Sequence, residues 1–272
     1  MRGEAIAFGA ATIVNAIGLG KGAALGLRLW TRAKVEVTDK PGVIEVEIKD
    51  DPSEDKTLAS AAVRRVFERF RVNRGAVVET TSNIPIARGL KSSSAAANAV
   101  ALATVGALGK RISDLEVINL AVDAAVRSGV TVTGAFDDAC ASYLGGAVVT
   151  DNTRRKLMRR YRIKGRPKVL IFIPKEKRYT AEVDVGSLRR VAPLTEVAWR
   201  EALEGEIWRA LNLNGYIHSR ELGLDPGVAL TALRAGALAA GLSGKGPATV
   251  AVVDPRKVDQ VKEAWASFEG EV

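Results

Sequence analysis

Two short segments of the chain alternate apolar with polar side chains: residues 33–38 (AKVEVT) and 43–49 (VIEVEIK). A period of two marks a half-buried strand, and the intervening Asp39-Lys40-Pro41-Gly42 has the composition of a turn. The pattern therefore predicts a β-hairpin. Over residues 55–70 the period changes, and Leu58, Ala62, Val66 and Phe70 recur at helical spacing. A strand is expected over 75–81, then a loop over 83–91 containing Pro85 and Gly89. Residues 92–109 read as a helix made almost wholly of small and apolar side chains, hence a buried one. A further helix is expected over 114–128, with Ser113 as N-cap and Glu116 at the capping-box position. Residues 131–146 change character: Gly and Thr first, then Asp137-Asp138, then Gly145-Gly146.

Beyond residue 146 the pattern predicts strands over 147–150 and 168–173 (KVLIFI), and helices over 195–221 and 227–239. A glycine-rich turn, a strand over 248–253 and a final helix reaching Phe268 follow. Strands and helices are interspersed without strict alternation, which predicts an α+β fold rather than a doubly wound sheet. A boundary near residue 150 divides the chain into two expected lobes, 1–150 and 151–272.

Composition narrows the chemistry more than the fold. The 272 residues are 47% apolar and 26% charged, an ordinary globular balance. Cys140 and His218 are the single cysteine and the single histidine. That excludes an internal disulfide framework and any multi-cysteine or multi-histidine metal site, and it leaves a Ser-His-Asp triad one candidate base. Chemistry must rest on Asp, Glu, Lys, Arg, Ser, Thr and backbone amides.

The net charge is +9, and residues 154–168 hold nine basic side chains and no acidic one. Such a run reads first as a solvated, charged strand pair and turn. An RNA-binding surface is the alternative, but only Tyr161 within the run offers a ring for base stacking. Near the N-terminus, Glu4, Asn15 and several glycines interrupt the apolar stretch, so neither a signal peptide nor a membrane span is predicted. A cytoplasmic protein with a small-molecule partner, and without nucleic-acid or membrane partners, is expected.

Three segments carry candidate chemistry. In 85–97 a loop with Pro and Gly feeds three serines that open a helix. Helix N-termini offer unpaired N–H groups and partial positive charge, serine hydroxyls add hydrogen bonds, and Lys91 adds a point charge. The spacing is neither Walker A nor GxGxxG. In 241–247 (GLSGKGP) three glycines with a serine and a lysine suit close backbone approach to an anion, or a tight turn before a strand. In 134–139 (GAFDDA) two adjacent acids follow a glycine and precede a helix, where one serves as cap, general base or magnesium ligand.

Taken in order, PxxxGLxSS, GxxD and GLSGxGP resemble the motifs of the GHMP kinase superfamily, and the Gly- and Ala-rich stretch from Gly9 to Leu25 resembles its N-terminal motif. The resemblance spans residues 9 to about 253. Within the superfamily, GLKSSSA at 89–95, GAATIVNAI at 9–17 and GKGA at 20–23 look most like the archaeal-type shikimate kinases. The wider superfamily usually has Gly where Lys91 stands. Homoserine kinases, whose serine loop reads similarly, are the alternative, and they usually lack an aspartate at the position of Asp137.

The resemblance implies two lobes, the first ribosomal-S5-like and the second ferredoxin-like. It also implies ATP and Mg²⁺ as cofactors and shikimate as the small-molecule substrate. ATP contacts fall on Pro85, Ile86, Ala87, Arg88, Gly89, Leu90, Lys91, Ser92, Ser93, Ser94, Ala95, Ser243 and Gly244. Ser93 falls at a magnesium-ligating position and Asp137 at that of the catalytic aspartate. Thr12, Asn15, Lys21 and Lys245 are substrate-contact candidates. Where some members carry a lysine before the N-terminal motif this chain has Glu4. Where they carry a metal-binding glutamate it has Val126, with Asp123 as the nearby acid.

Overall fold

Most of the first 32 residues, legible in the sequence only as small and apolar, join the alternating segment 33–38 in two long strands, β1 (Arg2–Val14) and β2 (Lys21–Thr38). Alanine and glycine are poor strand formers. From Gly9 to Val14 both faces of β1 are covered, so no alternation shows. The computed structural model describes residues 1–85, 88–131, 134–175 and 185–272.

After β2 come β3 (Ile44–Ile48), α1 (Thr57–Phe70), β4 (Gly75–Ser82), α2 (Ser92–Ala107), α3 (Asp114–Arg127) and α4 (Phe136–Leu144). Next are β5 (Ala147–Asp151), β6 (Lys156–Tyr161), β7 (Lys168–Pro174), α5 (Val185–Arg190), α6 (Ala192–Glu204) and α7 (Ile207–Glu221). The chain closes with α8 (Gly227–Arg234), β8 (Ala239–Leu242), β9 (Thr249–Val253), α9 (Val258–Trp265) and β10 (Gly270–Glu271). The mixed α+β class expected from the sequence is what forms. Among the described residues, no helix is long and apolar enough to cross a membrane.

The chain divides into two compact units, each assembled from three segments. The first takes the described residues of Met1–Ala10, Gly26–Pro85 and Lys91–Gly145; the second takes those of Ala11–Leu25, Ile86–Leu90 and Gly146–Val272.

In the first unit β4 lies between its neighbours. It pairs antiparallel with β2, from Thr31↔Ser82 to Thr38↔Gly75, and parallel with β3, from Ile44↔Ala76 to Ile48↔Thr80. The expected hairpin over 33–49 is thus corrected. The turn exists, with Val43 N donating to the Lys40 carbonyl at 3.2 Å, but β4 enters between the two strands. Alternation reports which face of a strand is buried and not which strand lies beside it. Ala33, Val35 and Val37 of β2 and Ala76 and Val78 of β4 pack against Ala62, Val63 and Phe67 of α1 and Val100 and Ala103 of α2.

The second unit pairs β5 with β2, from Lys21↔Asp151 to Leu25↔Ala147, and β5 with β6 across an irregularity at Val149/Thr150. The expected strand pair within the basic run is corrected: the run contributes one strand, β6, whose partner β5 lies before it, and its last residue, Lys168, opens β7 of another sheet. The charges of the run guard β6 against further strand pairing. A separate antiparallel sheet runs β10-β7-β9-β8. Leu170 and Phe172 of its β7 pack on Ala232 of α8 and on Val261 and Trp265 of α9.

Two helices differ from expectation. The one over 195–221 is broken into α6 and α7 at Gly205, whose left-handed φ of 101° ends α6. The one over 227–239 stops at Arg234, and Ala239–Leu242 pairs with β9 instead. Local preference in Ala-Ala-Gly-Leu yields there to a strand partner that only the tertiary fold supplies.

Candidate active site

In the first unit the three serines open α2, a 16-residue helix whose alanines give it high intrinsic propensity. Its N-cap is Lys91, held at φ 65°, ψ 37°, and no side chain caps that end among the described residues. A left-handed conformation costs a non-glycine residue roughly 1–2 kcal/mol. Glycine suffers no such penalty, which is the physical sense of the superfamily's usual glycine there. Ser93 is exposed, while Ser92 and Ser94 are half-buried. The first-turn N–H groups and the helix dipole make this end attractive to an anion.

The acidic pair sits in the first turn of α4, after Ala135 at φ 46°. Neither acid is the cap, but both lie where a helix dipole favours negative charge. Asp137 and Asp138 are both buried. Asp138 Oδ2 lies 3.1 Å from Lys91 Nζ, and the two side chains are only 11% and 15% exposed. Asp138 Oδ1 is buried and finds no hydrogen-bond partner among the described residues. About two turns further into α2, Asn98 Nδ2 donates to the Ala139 carbonyl at 2.9 Å. Cys140, fully buried, has its thiol pKa pushed up by burial and then by the charge of Asp137. It is a packed side chain and no nucleophile.

The second unit gathers three sequence segments at the 241–247 loop. Ser243 Oγ donates to the Gly89 carbonyl at 2.8 Å and accepts from Thr12 N at 3.2 Å. Gly244 N donates to Thr12 Oγ1 at 2.9 Å, and Asn15 Nδ2 donates to the Gly244 carbonyl at 3.0 Å. Asn15 N in turn donates to Asn214 Oδ1 on α7 at 2.9 Å. Thr12, Asn15, Ser243 and Gly244 are therefore one buried network, and in this structure Thr12 and Asn15 brace the glycine loop. Asn214 was not singled out from the sequence. An asparagine in an amphipathic helix reads as surface, and only its burial reveals the role.

The other candidates are dispersed. Lys21 pairs with Glu196 Oε1 at 3.1 Å and lies over the Trp199 ring at 4.9 Å. Lys245 and Pro85 are exposed, Arg88 and Gly89 half-buried, and Leu90 and Ala95 buried. Ile86 and Ala87 lie outside the described residues. Asp123 accepts from Arg65 Nη2 at 2.7 Å, which commits it to a helix–helix ion pair. No cluster of three acids, histidines or cysteines suited to a metal exists among the described residues. His218 is buried, with Nε2 3.2 Å from Thr195 Oγ1 and its pKa lowered to about 4 by burial.

The GHMP kinases N-terminal domain model matches residues 57–146, and the GHMP kinases C-terminal model matches 228–271. These segments contain the serine helix with the acidic pair and the 241–247 loop, respectively. The chain belongs to the GHMP kinase family. A shikimate kinase of Methanosarcina mazei is 47% identical over 100% of this chain and 93% of its own. One of Pyrococcus abyssi is 42% identical over 98% and 97%. The GHMP fold is equally plain in structure. Methanococcus jannaschii mevalonate kinase superposes at a TM-score of 0.78, with 16% identity, over 100% of this chain and 96% of that one. Lactococcus lactis galactokinase, solved with galactose, superposes at 0.75 over 97% and 88%, with 15% identity.

Proposed function

We propose that this kinase transfers the γ-phosphoryl group of ATP to the 3-hydroxyl of shikimate, giving shikimate 3-phosphate and ADP. The observation that carries the reading is 47% identity, end to end, to a shikimate kinase. The geometry supports it with an uncapped serine helix and a buried carboxylate on a helix fastened to it.

Phosphoryl transfer asks for positioning and charge neutralisation more than for covalent chemistry. The N–H groups of Ser92, Ser93 and Ser94 bind phosphate oxygens, with the α2 dipole behind them. Asp137 accepts the proton of the attacking hydroxyl as the O–P bond forms, and ADP leaves with the electrons of the broken bond. Mg²⁺, when bound, would supply neutralisation of phosphate charge. The donor set fits that ion, because Mg²⁺ takes one or two protein ligands and fills its shell with phosphate oxygens and water. Ser93, exposed at the first turn of α2, is the hydroxyl that would hold it. Ser243 and Gly244, in the 241–247 loop of the second unit, remain ATP-contact candidates; Lys21 and Lys245 remain substrate-contact candidates. The lobe boundary near residue 150 and a cytoplasmic location belong to the same proposal.

The test is Mg·ATP turnover against shikimate, homoserine, mevalonate and galactose, with Asp137→Asn alongside. Turnover of shikimate alone is expected, reduced about 10²- to 10⁴-fold in the variant while its melting temperature is kept. Turnover of another alcohol would replace the substrate. An unimpaired Asp137→Asn enzyme would remove the base.

A further inference from the structure

The mechanism above uses Asp137 and leaves its neighbour idle, yet Asp138 makes an ion pair at the site. Its partner, Lys91, stands immediately before the serines, and Asp138 stands immediately after the base. One 3.1 Å ion pair therefore joins the start of α2 to the start of α4. Successive side chains on a helix point about 100° apart, so the adjacent acids face different directions. Lys91 is in addition one of few non-glycine residues with positive φ, a conformation whose cost has to be outweighed by what its side chain does.

We propose that Lys91 and Asp138 form a positioning pair, an ionic strut that sets the reacting carboxylate of Asp137 against the phosphate-binding end of α2. This rests on the assignment of Asp137 as base.

Three observations support the strut. The pair is largely withdrawn from water, where an ion pair holds its geometry more firmly than on the surface. Asn98, about two turns further along α2, fastens the same two helices through the Ala139 carbonyl, so the strut fixes the remaining freedom of the first turn of α4. Asp138 Oδ1 has no hydrogen-bond partner among the described residues, so the ion pair through Oδ2 is what ties that carboxylate to α2.

The experiment compares Asp138→Asn, Lys91→Met, Lys91→Arg and the neutral double variant Lys91→Met/Asp138→Asn. Each is measured for kcat, for both KM values and for amide exchange of the segment 136–139. A small misplacement of a reacting group costs up to about 100-fold in rate. Asp138→Asn and Lys91→Met are each expected to lose kcat on the order of 10- to 100-fold, with both KM values little changed and exchange at 136–139 accelerated. Lys91→Arg should recover turnover and protection relative to Lys91→Met. The double variant leaves no buried charge unpaired, so it should fold like the parent and still show the kcat loss.

Normal kcat in the double variant would overturn the strut. So would a rise of the ATP KM in Lys91→Met with Asp138→Asn silent, which would make Lys91 a phosphate contact. Kinetics are read with whichever alcohol the parent turns over, and amide exchange needs no substrate. A wrong substrate assignment is therefore distinguishable from a wrong strut.

Discussion

Gly89 holds φ at +76°, and a Cβ built there would lie 2.5 Å from the Ser243 carbonyl oxygen. Gly42 has the same φ, +76°, with nothing within 4 Å of its added Cβ. The two glycines separate two costs that alanine would impose. Gly42→Ala suffers only the left-handed backbone penalty, about 1 kcal/mol. Gly89→Ala suffers that and must also push the 241–247 loop away, weakening the bond from Ser243 Oγ to the Gly89 carbonyl. A buried hydrogen bond is worth about 1 kcal/mol, and the orphaned partners add about 1–2 more. The expected destabilisation is therefore about 3 kcal/mol at Gly89 against about 1 kcal/mol at Gly42. At about 2 °C per kcal/mol for a chain of this size, the melting temperatures should fall by about 6 and 2 °C. Urea unfolding and thermal melts measure both, and steady-state kinetics should show a higher ATP KM in Gly89→Ala alone. Equal losses in the two variants would refute the argument, since the clash with Ser243 would then have no energetic weight.

The buried His218 predicts a pH dependence of stability. Its pKa of about 4 lies below the ordinary 6.5, so the unfolded state binds the proton first. Its contribution is complete above pH 6.5 and is lost as pH falls toward 4, about 2 kcal/mol by pH 5. Urea unfolding at pH 7.5 and 5 should show this loss in the parent and a smaller one in His218→Gln; equal slopes would contradict it. Asn214→Ala leaves the buried Asn15 N–H without its acceptor, which should cost about 1–3 kcal/mol. Chemical denaturation measures that cost, and an unchanged midpoint would mean that Asn214 does not brace the loop.

Much of the site was legible in the chain. The serines at 92–94, the aspartate pair and the 241–247 loop are local signals, because turn glycines, helix-opening serines and first-turn acids act through their own backbone. Helices α1, α2 and α3 were legible too, since their apolar spacing or alanine content and the Ser113 cap are local properties. What escaped depends on distant partners. From Gly9 to Val14, β1 carries no period because both its faces are covered. β4 enters between strands that sequence alternation seemed to join, and β8 is a strand only beside β9. Asn214 joins the network that braces the 241–247 loop only through Asn15, 199 residues away in sequence. The ion pair from Lys91 to Asp138 likewise exists because packing brings two helix starts together. Sequence alone determined which residues are candidates for the chemistry, because residue type and local spacing set what a side chain or backbone turn can do. The tertiary structure decided which of them meet, because contact between remote segments follows from burial and strand partnership, and neither is written in local pattern.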